Sequence, residues 1–179
     1  MISKSPSAIW FVGTVLVVAL LVGSMSIDSL AAETESYSVY LPLVMVPSFE
    51  DIVVRLTNQE RAANGCDPLI VDTRLQAAAE GHSLDMALND FVSHTGSDGS
   101  SPWDRIHAQG YDYWIAAENI AAGYPTPESV VAGWMESPGH RANILNCSFV
   151  HIGVGYYYLP NDTGSVNYYH YWTQDFAAP

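Results

Sequence analysis

With 179 residues, 49 % of them hydrophobic and 14 % charged, the chain has apolar material for one ordinary core and little more. Six basic against 19 acidic residues give a formal net charge of −13. That balance repels phosphate backbones and anionic headgroups, so nucleic-acid binding is excluded, while contact with a lipid's apolar tail stays open and plain solubility remains the simplest role for the acidity.

Residues 1–31 read as an export signal: Lys4 supplies the positive start, Ile9 to Gly23 form the apolar run, and Ser29-Leu30-Ala31 offers small residues for cleavage. The alternative is an uncleaved anchor, because the uncharged stretch continues to Ile27 and nears the ~18 residues that span a bilayer. Both readings put the rest of the chain outside the cytoplasm, secreted or tethered to the outer face of the cell membrane. Residues 32–48 form a linker whose run YSVYLPLVM is either a tether or a short edge strand, Pro42 arguing against a central one. A single domain is expected over 49–178.

The first helix starts at Ser48, which caps it together with Asp51, and stops at Gly65, with Ile52, Leu56 and Ala63 expected on its apolar stripe. A second helix follows Asp72. Its residues Leu75, Ala79, His82 and Met86 are spaced 4, 3 and 4 apart and share one face, so His82 is expected in the core with a hydrogen-bond partner. The turn-rich string HTGSDGSS presents His94 from a loop just past a helix end. Ser101-Pro102-Trp103-Asp104 is a capped helix start ended by Gly110; Thr126-Pro127-Glu128 begins another through Trp134, which Pro138-Gly139 breaks directly before His140. Ile152–Leu159 and Val166–Phe176, rich in Val, Tyr, Trp and Phe, form a β-hairpin, on which Tyr156, Tyr158, His170 and Trp172 alternate as core or cleft wall. Helices first and a hairpin last indicate an α+β fold.

Cys66 and Cys147 are the only cysteines, and an exported chain with an even count favours a structural disulfide between them. The side chains with most chemical potential are His94, Glu118 in AAENIAAG, and His140 in SPGHRANIL. Two imidazoles and a carboxylate suit zinc or another divalent cation, with His94 and His140 as ligands and an open position for water. The spacing is not the compact HExxH arrangement, and a hydrogen-bonded His-Glu cluster fixing loop ends around a cleft is the simpler account. Serine catalysis has no GxSxG elbow to rest on. Arg141 is expected to tie a loop or pair with a carboxylate.

Taken in order, LTNQERAANG, LQAAAEGHSLDMA, FVSHTGSDGSSPWDRI, AAENIAAG, VVAGWMESPGHRANIL, IGVGYYY and YWTQDF resemble a bacterial member of the CAP superfamily, the SCP-like group that includes cysteine-rich secretory proteins, antigen 5 and pathogenesis-related 1 proteins. The resemblance implies a three-layer α-β-α sandwich with a central cleft lined by two histidines and two acidic residues. By motif these are His94, Glu118 and His140, with Glu136 near the place of the second acid. It also implies a secreted binding module for a small apolar or amphipathic ligand or a divalent cation rather than an enzyme. The alternatives are a metal-dependent hydrolase with Glu118 as general base, and a structural or adhesive extracellular domain.

Overall fold

A computed structural model describes residues 46–179, and the signal and most of the linker therefore lie outside the described residues. The order is α1 (Phe49–Ala63), β1 (Ile70–Val71), α2 (Thr73–Leu88), α3 (Pro102–Ala108), β2 (Ile115–Ala122), α4 (Pro127–Glu136), α5 (Pro138–Ile144), β3 (His151–Tyr158) and β4 (His170–Ala178). The strands form one mixed sheet in the order β1-β3-β4-β2, parallel only between β1 and β3. Helices α1, α4 and α5 cover one face through Val53, Val130, Val131, Trp134 and Ile144 packed on Ile152, Val154, Trp172 and Phe176. The other face is covered by α2 and α3, through Leu75, Ala78, Ile106 and Met86 against Tyr171 and Ala177. This is the expected α-β-α sandwich.

The helix starts follow from their caps. Ser48, Ser101 and Thr126 each form a reciprocal capping box with the residue three positions on, and Asp72 caps α2 through the Arg74 amide. Gly65, at φ 79°, supplies the left-handed residue just past α1. Along β3, Gly153 and Gly155 let the α2 backbone lie directly on the sheet: a Cβ at Gly153 would fall 2.1 Å from the Leu75 carbonyl carbon. The Cys66–Cys147 disulfide is formed and closes a loop with a sequence separation of 81.

Several sequence expectations are corrected. The buried stripe of α1 is Val53, Thr57 and Arg61, one position on from Ile52 and Leu56, while Ala63 is exposed. Arg61 is fully buried because its guanidinium donates to the carbonyls of Asp67, Ile144, Asn146 and Phe149, tying α1 to the loop after α5. The break before His140 falls where expected, with α4 ending at Glu136, but Pro138 is also the first residue of α5, where a missing amide is no loss, so His140 lies inside a helix. The second hairpin strand begins at His170, since Val166 to Tyr169 form the connection, in which Asp162 accepts from the Tyr169 amide and the Tyr171 hydroxyl.

Candidate functional site

His94 is held from three sides. The preceding turn is fixed by His82, buried in α2, whose Nε2–H donates to the Ser93 carbonyl at 2.8 Å. Burial holds His82 below the ordinary imidazole range, so the neutral ring with its proton on Nε2 is the form present at neutral pH. The following loop is fixed by Asp85, which accepts from the Ser97 amide and hydroxyl, and by Arg105 of α3, which donates to the carbonyls of His94 at 3.0 Å and Ser100 at 3.1 Å. The ring itself meets Glu118: its Nδ1 lies 2.6 Å from Oε1.

Glu118 stands on β2, facing the α2 and α3 layer, with its side chain 1 % exposed. Its second oxygen accepts from Arg105 Nη2 at 2.6 Å. Both carboxylate oxygens are thus committed, one to an imidazole and one to a guanidinium, which is how a buried charge is accommodated. The His94 side chain is 52 % exposed, and its Nε2 has no partner among the described residues. The unpartnered edge of the imidazole is therefore open to the cleft while the other edge is anchored.

His140, in the first turn of α5, is half-buried and held below the ordinary imidazole range by burial and then by the neighbouring His94. Its backbone is placed by a polar relay on the opposite face of the sheet. Gln174 donates to Thr57, Asn119 donates to Gln174 and to the His140 carbonyl, and Asn143 donates to Asn119 and to the Glu118 carbonyl. Every link lies among buried or half-buried residues, so the relay fixes α5 against β2.

Glu136 is not brought into this group. It is the last residue of α4, exposed, without a side-chain hydrogen bond or ion pair among the described residues. Arg141 ties a turn, as expected, through the Met135 carbonyl at 3.4 Å. The carboxylate that does accompany Glu118 is Asp175, directly opposite it in the β2–β4 register. Asp175 is 1 % exposed and neither oxygen has a hydrogen-bond partner. Burial, then the neighbouring Glu118 charge, holds its carboxyl well above the usual range, with Arg105 opposing. Asp175 and Arg105 were not among the sequence candidates. An acidic residue inside the apolar strand YWTQDF was the one available signal for the former.

A cavity of about 460 Å³ opens at this cluster, lined by His94, Pro102, Trp103, Ala116, Ala117, Glu118 and Asn143. A smaller one of about 330 Å³ adjoins it and shares Trp103 and Ala116, continuing along Tyr113, Trp114 and Ile115. The alternating aromatics of the hairpin wall a separate cavity of about 510 Å³ with Phe49 and Pro125, where the Tyr156 hydroxyl and His170 Nδ1 are 2.8 Å apart. For a metal, the donor set at His94 and His140 amounts to two imidazole nitrogens, since Glu118 has both oxygens bonded. Among the described residues no group of three or more His, Cys, Asp or Glu side chains is placed to hold an ion. A catalytic zinc needs three protein ligands and an open position, and these residues do not supply that set.

Comparison with known proteins follows the same lines. The family model for the cysteine-rich secretory protein family, CAP, matches residues 54–176. The chain is 44 % identical over 133 residues to YkwD of Bacillus subtilis (strain 168), covering 74 % of this chain and 48 % of that protein. Among solved structures, an extracellular protein containing an SCP domain from Bacillus anthracis is similar with a TM-score of 0.64 and 30 % identity, over 73 % of this chain and 40 % of that one. An outer surface protein from Borrelia burgdorferi shares the fold with a TM-score of 0.61 at 23 % identity, over 70 % and 89 % of the two chains. The match to YkwD thus spans about half of that relative's length.

Proposed function

This chain belongs to the cysteine-rich secretory protein (CAP) family, and from that premise we propose that it is an extracellular binding module whose cleft takes an amphipathic ligand. The polar end of the ligand meets the free Nε2 edge of His94, and its apolar body lies on Pro102 and Trp103. The observation that carries this reading is the state of Glu118: a buried carboxylate whose two oxygens are both spent on holding His94 and Arg105 is a scaffold, not a free base. What remains facing the cavity is an imidazole edge and an indole, a set suited to orienting a ligand in a volume ordinary for small-molecule sites. Placement outside the cell is supported by the extracellular and outer-surface proteins it resembles, and no helix among the described residues is long and apolar enough to cross a membrane.

The hydrolytic alternative, with Glu118 as general base to a metal-bound water, meets two obstacles in the committed carboxylate and the two-nitrogen donor set. The binding reading is tested by titrating dodecanoate into the protein while following tryptophan fluorescence. Saturable quenching that is lost in Trp103→Ala and weakened in His94→Ala is the expected result. An unsaturable or variant-independent response would dismiss it.

A further inference from the structure

β2 is an edge strand, and its outer edge is only half covered. Backbone groups of alternate residues face away from β4: the Ile120 carbonyl accepts from Trp134 Nε1 at 3.1 Å and the Glu118 carbonyl from Asn143 Nδ2 at 3.4 Å. By the same alternation the N–H and C=O of Ala116 and the N–H of Glu118 also point outward. None of these three groups has a hydrogen-bond partner among the described residues. They lie along the two adjoining cavities, whose shared wall is Trp103 and Ala116. The fold blunts the edge beyond Glu118 with side chains and leaves it open where the cavities run.

The surroundings specify what fits. Two large indoles are exposed beside the open edge, Trp103 at 41 % and Trp114 at 67 %. The exposed carboxylates of Asp104 and Asp112 neighbour them in sequence, and the chain as a whole carries −13. Indole faces and carboxylates together attract guanidinium and ammonium groups, and the net charge steers cationic partners towards the protein. A second copy of this chain would bring two such acidic bodies together, which the same electrostatics oppose.

We propose that the open edge of β2 at Ala116 and Glu118 binds an extended, basic segment of polypeptide as an added strand, its side chains reaching Trp103 and Trp114. The inference rests on the binding-module reading and names the class of ligand. Backbone bonds to Ala116 give the register, and alternate side chains of the added strand fall on opposite sides of the edge, one set towards the His94 cavity.

The test uses a fluorescein-labelled hexapeptide of alternating Arg and Val, followed by anisotropy at physiological salt. A second peptide of identical sequence and charge carries N-methyl groups on alternate residues. The expected result is saturable binding of the first and about tenfold weaker binding of the second, from the loss of the bond to the Ala116 carbonyl and the clash of the methyl groups with the strand edge. Ala116→Pro, which removes the outward N–H, weakens the first peptide similarly. Trp114→Ala, an exposed site that leaves the core untouched, weakens it several-fold. Equal binding of both peptides would show charge attraction alone and overturn the proposal, as would a dimer joined through β2 in sedimentation. If neither peptide binds while dodecanoate saturates, this inference fails and the amphipathic-ligand reading stands; if nothing binds, both fall.

Discussion

Replacing Glu118 by Gln removes a buried charge from between His94 and Arg105 while keeping its shape, and the outcome depends on Asp175. Breaking a buried ion pair by deleting one partner ordinarily costs about 3–5 kcal/mol, because the other charge is left uncompensated. Here Arg105 has a second carboxyl within electrostatic reach, whose proton is retained partly because Glu118 is charged. With that charge gone, one of the two causes that hold the Asp175 proton is removed and its carboxyl takes over part of the compensation, so Glu118→Gln alone is expected to cost roughly 1–2 kcal/mol. Asp175→Asn alone puts a neutral amide where burial disfavours a carboxylate, so at pH 7 the variant should be no less stable than the wild type. The double variant loses both compensations and should fall by the full ~3–5 kcal/mol, a coupling of about 2 kcal/mol. Urea unfolding at pH 7 reads each value from the midpoint, where 2 kcal/mol is about 1 M for a domain of this size. Additivity within about 0.5 kcal/mol would refute the claim that Glu118 and Asp175 share Arg105.

The pH dependence of the same group supplies a second prediction. A carboxyl whose folded value is raised binds its proton more tightly in the folded state, so it lowers stability as pH rises above the ordinary carboxylate range; the stability of Asp175→Asn should therefore gain on the wild type from pH 4 upward, and a constant gap would contradict this. His82 and His140 act in the other sense: their folded values are lowered, so stability is full above about pH 6.5 and is lost as pH falls below it, which thermal melts from pH 7 to 5 on wild type and His140→Gln should show as a smaller loss in the variant. Cys66→Ser with Cys147→Ser opens a loop of sequence separation 81 and is expected to cost about 4.5 kcal/mol on the chain-entropy model, measured as a drop in the unfolding midpoint. Arg61→Met leaves four carbonyl oxygens without their donor and should lower stability by about 4 kcal/mol or more, although no cavity wall is touched.

Most helix boundaries were legible because they are local chemistry: Ser48, Asp72, Ser101 and Thr126 cap where their neighbours predict. β2 was not, because IAAENIAA has neither β-branched density nor alternation; it is a strand because eight residues pair with β4, a tertiary decision that propensity does not carry. The α1 stripe shifted by one residue for a similar reason, since Arg61 is buried by four distant carbonyls rather than by its own apolarity. His94, Glu118 and His140 stood out because their strings are distinctive. Their supports did not: Arg105 looks like any exposed arginine of a short helix, and the relay through Asn119, Asn143 and Gln174 joins residues up to 117 positions apart. Glu136 was chosen by its nearness to Trp134 in sequence, but at the end of α4 its side chain is exposed.

The central claim is that the cavity under His94 receives a ligand while Glu118 serves only to hold the ring. Nuclear magnetic resonance of protein labelled at tryptophan indole and histidine ring positions, titrated with dodecanoate, tests it most directly. The account predicts saturable shifts confined to Trp103 and His94, with the buried Trp172 of the opposite face unmoved. Shifts of Trp172 and His170 with Trp103 silent would place the ligand in the other cavity and contradict it.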